Sequence, residues 1–127
     1  MALEPGDHGS TFGGNALTTA AAYAGTKYLI DHDIPAHVKR MEIALLTHLH
    51  TLQEQFACVA AVRGKGLLAA MEFDSDIAGR VVTHANEAGV LLNMVRPNTV
   101  RFMPPLTITV EEVDEAAERL EEALKQL

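Results

Sequence analysis

The stretch "PGDHGSTFGGNALTTAAAYAG", residues 5–25, gathers glycines, the pair Ser10–Thr11 and an asparagine ahead of an Ala-rich run. Backbone amides of a glycine-rich loop and of a helix N-terminus carry partial positive charge, so such a loop can hold an anion without a lysine. Ser10 and Thr11 would add hydroxyl donors. A tight structural turn before a capped helix is the competing reading. The loop is not a P-loop, because the G-K-[ST] ending is absent. It is not a dinucleotide fingerprint, because no strand precedes it and the glycine spacing differs.

The second stretch is "VRPNTVRFMPPL", residues 95–106, where Arg96 and Arg101 stand in an otherwise apolar run. On a strand, Arg101 points away from the face that takes Val100 and Phe102. A guanidinium there can grip a carboxylate with two parallel hydrogen bonds. A structural ion pair with one of the many acidic residues is the alternative.

The remaining reactive types are scattered. His48 and His50 diverge on a helix, His32 and His37 flank a helix start, and His8 and His84 are isolated, so no metal site is expected. Cys58 sits at an apolar junction and reads as an inert thiol. Lys65, in "RGKGLL", could form a Schiff base if desolvated, but a surface lysine at a strand start is the simpler case.

These residues need elements to carry them. Asn15 is a helix N-cap for an Ala-rich helix over 16–31. "DHDIP" breaks it, with Asp33 as a cap and Pro35 in the first turn of the next helix. That helix shows an apolar stripe at Ile34, Val38, Met41, Leu45, Leu49, Leu52 and Phe56. Residues 58–73 are β-rich, with glycines permitting a bend. A helix over 74–89, strands over 90–95 and 99–103, a turn at "RPN", and a capping box at Thr109 and Glu112 opening a final helix over 110–126 complete the reading. The second half is therefore β-α-β-β-α, an α+β layer with a short sheet and helices on one face. The two preceding helices carry more apolar surface than so small a sheet can hide.

The chain has 127 residues, the size of one domain, with 48% hydrophobic and 21% charged residues. A net charge of −7 argues against a nucleic-acid surface. One cysteine, no leader pattern and no run of about 20 apolar residues lead to the expectation of a soluble cytoplasmic protein without membrane partners.

"PGDHGSTFGGN", "RGKGLL", "GVLLNMVRPNTVRFMPPLTIT" and the acidic last helix occur in this order along the chain. In this it resembles the class III aminotransferases, pyridoxal-phosphate enzymes of fold type I, and within them most the acetylornithine aminotransferases. The resemblance runs from about Leu3 to the end. It implies that Thr11, with Ser10 beside it, contacts the cofactor phosphate across a dimer interface, and that Arg101 binds the substrate α-carboxylate. The family commonly has proline where Ala16 stands here, and both suit a helix start. The resemblance also implies a division into a cofactor-phosphate loop (1–14), two helices (15–57) and the small C-terminal domain of the fold (58–127).

The family's cofactor-binding lysine and pyridine-nitrogen aspartate lie upstream of the matching loop, and none of Lys27, Lys39, Lys65 and Lys125 stands in the lysine motif. The expectation is a C-terminal portion, with no catalytic residue of its own and inactive alone. The complete enzyme would be homo-oligomeric and would move an amino group from N-acetylornithine to 2-oxoglutarate in arginine biosynthesis. A non-catalytic interaction or dimerisation module, or part of an ornithine, succinylornithine or 4-aminobutyrate aminotransferase, is the alternative.

Overall fold

A computed structural model describes residues 6, 7 and 9–127, so Pro5 and His8 of the opening loop lie outside the described residues. The chain divides into two compact units, one ending at Asp33 and the other running from Ile34 to Leu127. The first holds the loop and α1 (Ala16–Asp31). Asn15 caps α1, its side-chain oxygen accepting from the Thr18 amide at 3.0 Å. Every residue of α1 is exposed. Asp33, expected as a cap of the second helix, takes a φ of 45° and donates its N–H to the Ile30 carbonyl, which ends α1.

The second unit begins with α2 (Ile34–Gln55), then β1 (Val59–Lys65), β2 (Leu68–Phe73), α3 (Ala78–Glu87), β3 (Asn93–Arg96), β4 (Thr99–Phe102) and α4 (Val110–Leu124). The two compact units divide between Asp33 and Ile34, within the two-helix segment. Helix α2 packs on β1 and α4, and buries Ile34, Met41, Leu45, Leu49 and Leu52. Its narrow stripe is therefore covered within this unit, contrary to the expectation that both leading helices lack cover.

The order is β-β-α-β-β-α rather than β-α-β-β-α. Residues 58–73 form a hairpin: Gly66 turns the chain at a φ of 60°, and its amide donates to Glu42 Oε1 of α2 at 2.7 Å. The run is apolar on both sides of the turn, so no change of hydrophobic pattern marks it. The four strands form one antiparallel sheet in the order β1-β2-β4-β3. Arg96, expected in the turn, is the last residue of β3, beside a bulge between Met94 and Arg96.

Alternation then separates the faces. Ala69, Met71, Phe73, Val100 and Phe102 are buried and join residues of α2, α3 and α4 in one core. Thr109 and Glu112 form the expected capping box of α4. The opposite face of the sheet carries the polar residues.

Candidate functional site

The strand register lays out the open face in rows. Ala70 pairs with Arg63 on one side and with Arg101 on the other, and Arg101 pairs in turn with Asn93. In the next row, Glu72 pairs with Thr99, and Thr99 with Arg96. A cavity of about 500 Å³ lies over these rows, lined by residues including Arg63, Leu68, Ala70, Arg96, Thr99 and Arg101. Three guanidiniums on one face of a chain with net charge −7 make a locally positive surface.

The arginines differ in their partners. Arg63 forms a salt bridge with Glu72. That hydrogen bond and the Arg63 charge hold the Glu72 carboxyl below its usual range, with smaller contributions from Arg96 and Asn98. Arg101 is half-buried, and its Nε is buried without a hydrogen-bond partner among the described residues. A buried donor without an acceptor costs about 1–3 kcal/mol.

The opening loop has a different character. Ser10 Oγ accepts from the Gly13 amide at 2.9 Å, closing a tight turn. A side chain at Gly13 would come within 2.7 Å of that oxygen, so Ser10 would have to shift to admit one. Thr11 is exposed, and its hydroxyl has no partner among the described residues. Ser10 thus shapes the loop, and Thr11 is the hydroxyl left available to a ligand.

The other candidates occupy structural positions. His37 Nε2 meets the Ile108 carbonyl at 2.8 Å, His48 pairs with Asp114 at 2.7 Å, and His32 stacks on Tyr28. Cys58 is half-buried, and burial pushes its thiol pKa up. Lys65 is exposed at the end of β1. Lys27 and Lys125 form helical ion pairs with Asp31 and Glu121. Sequence reasoning singled out Arg101 and Arg96 but gave no role to Arg63, Ala70 or Glu72. For Ala70 and Glu72 the signal was the alternation of the strand "LAAMEF", which puts Leu68, Ala70 and Glu72 on one side.

The family model described as aminotransferase class-III matches residues 1–124. The acetylornithine aminotransferase of Methanothermobacter thermautotrophicus is 41% identical over 127 residues, covering 100% of this chain and 32% of that protein. The crystal structure of acetylornithine aminotransferase from Elizabethkingia anophelis superposes with a TM-score of 0.88 at 31% identity, over 98% of this chain and 32% of that one. An amine transaminase from an uncultivated Pseudomonas species, solved in its PLP-bound form, gives a TM-score of 0.84 at 34% identity, covering 94% of this chain and 29% of that one. The chain thus spans about a third of the length of these relatives.

Proposed function

The chain belongs to the class III aminotransferases, and from that premise we propose that it forms the substrate-carboxylate face, and one cofactor-phosphate contact, of an acetylornithine aminotransferase-like enzyme. The family depends on pyridoxal phosphate. The enzyme would transfer an amino group from N-acetylornithine to 2-oxoglutarate. A homo-oligomeric enzyme of arginine biosynthesis in the cytoplasm is the setting that goes with this reading, and a single half-buried cysteine fits a reducing compartment.

The observation that carries the proposal is Arg101 itself, which lines the cavity on the open face of the sheet and has no ion pair or side-chain hydrogen bond among the described residues. In N-acetylornithine the α-amine is acylated and the remote δ-amine is the one that can move, whereas 2-oxoglutarate presents an α-carboxylate directly beside its reacting carbonyl carbon. Arg101 binds that carboxylate and orients the neighbouring carbon; a fixed orientation lowers the entropy cost of reaction. Thr11 suits the cofactor phosphate, because its hydroxyl is exposed and free to donate. The bound cofactor supplies the electron sink for bond breaking at that carbon.

The test uses an active enzyme that carries this segment. Arg101→Lys keeps the charge but loses the planar fork. Leaving one member of a buried, charge-assisted pair unmatched costs roughly 2–5 kcal/mol. The corresponding fall in kcat/KM is about 30-fold to several thousand-fold for the acceptor 2-oxoglutarate. Arg96→Lys, at an exposed position, should be mild. The reverse ranking would assign the anchor to Arg96.

A further inference from the structure

The open face holds three guanidiniums and one carboxylate, and the pairing among them is uneven. Glu72 bonds to Arg63 and lies within the electrostatic reach of Arg96, while neither Arg96 nor Arg101 has an ion pair or a side-chain hydrogen bond among the described residues, and Glu72 shows no such influence from Arg101. Arg63 and Arg101 are opposite each other across Ala70, one strand to either side of it. Two strand spacings separate their Cα atoms by about 10 Å. The Ala70 methyl is too short to screen two arginine side chains from one another. A five-carbon dicarboxylate is of the length that could bridge such a pair, and a monocarboxylate could take either guanidinium.

We propose that Glu72 is the specificity-determining residue of this face: by holding Arg63 and attracting Arg96, it leaves Arg101 as the free guanidinium, so that a substrate carboxylate is gripped at one place and in one register. This rests on Arg101 being the carboxylate anchor. Two competing registers would place the reacting carbon differently, and misplacement at that scale is costly in a positioned reaction. Glu72 acts through the arginines and touches no reacting atom, so it is a positioning group.

The experiment is a nitrogen-15 NMR titration of the 127-residue chain, following arginine Nε–H signals with acetate and with glutarate. In the wild-type chain both ligands should move the Arg101 signal and leave Arg63 in place. In Glu72→Gln, glutarate should also move Arg63. Its affinity relative to acetate should rise by about 2- to 5-fold, the size of one exposed carboxylate–guanidinium contact. Glu72→Asp should behave as wild type, and the double variant Glu72→Gln/Arg63→Gln should return to the wild-type ratio. A wild-type Arg63 signal that moves as far as that of Arg101 overturns the role of Glu72 while leaving the anchor in place. So does a ratio that is unchanged in a Glu72→Gln chain with wild-type thermal unfolding. If neither ligand moves the Arg101 signal, the anchor reading falls, and this inference with it.

Discussion

The two faces of the sheet are built from the same strands, and alternate residues of β2 and β4 serve opposite ends. On the covered face, Met71, Phe73 and Val100 are at most 1% exposed and pack under the helices. On the open face, Ala70, Glu72 and Arg101 lie one residue away, half-exposed, beneath a cavity. The covered face contributes stability through burial of apolar surface. The open face gives up some stability, since among the described residues a guanidinium nitrogen there is buried without a partner. Two-residue alternation lets one short sheet carry both faces, because a side chain can be changed on either face without repacking the other.

Substitutions can break or sharpen this division, and the largest effect belongs to the covered face. Phe73→Ala should lower stability by about 3–5 kcal/mol, the range for deleting a buried aromatic ring. Urea denaturation of the chain measures it, and a loss of under about 1 kcal/mol would mean that the face is not a packed core. Next comes the hairpin that sets the register between the faces. Gly66→Ala, at a φ of 60° and with Val38 Cγ1 at 3.2 Å from the added carbon, should cost about 1–2 kcal/mol.

On the open face the sign should reverse. Arg101→Met removes the orphaned donor and keeps the side-chain volume, so it should stabilise by about 1 kcal/mol while abolishing carboxylate binding. A destabilisation of that size would show that Arg101 has a structural partner. The smallest effect concerns Glu72. Its folded pKa lies below the unfolded value, so the contribution of its pair with Arg63 is complete above about pH 4.3. That contribution is lost as pH falls through the lower folded value. The difference in urea midpoint between wild type and Glu72→Gln should therefore be present at pH 7 and shrink toward pH 3. A gap that stays constant over that range would show that Glu72 is held by something other than its charge.

Local signals in the sequence were sufficient wherever a residue acts on its near neighbours. Asn15 and Thr109 cap the helices they precede because the amides they accept from lie three residues on. The stripe from Ile34 to Leu52 is a helix because its spacing matches the turn, and Arg101 faces away from Val100 and Phe102 because strand side chains alternate. The motifs around Thr11 and Arg101 were enough to point to the family. Tertiary structure decided what depends on register and cover. The glycines of the apolar run 58–73 permitted a bend, but only the structure made it a hairpin turned at Gly66, and the amphipathic α2 found its cover on β1 and α4. Glu72 meets Arg63 nine positions away, and Ala70 meets Arg101 thirty-one positions away, only because β1, β2 and β4 pair in one particular alignment. No short window of sequence contains that alignment: it is fixed by which faces the helices bury, and a slip of one residue would exchange the core and the site.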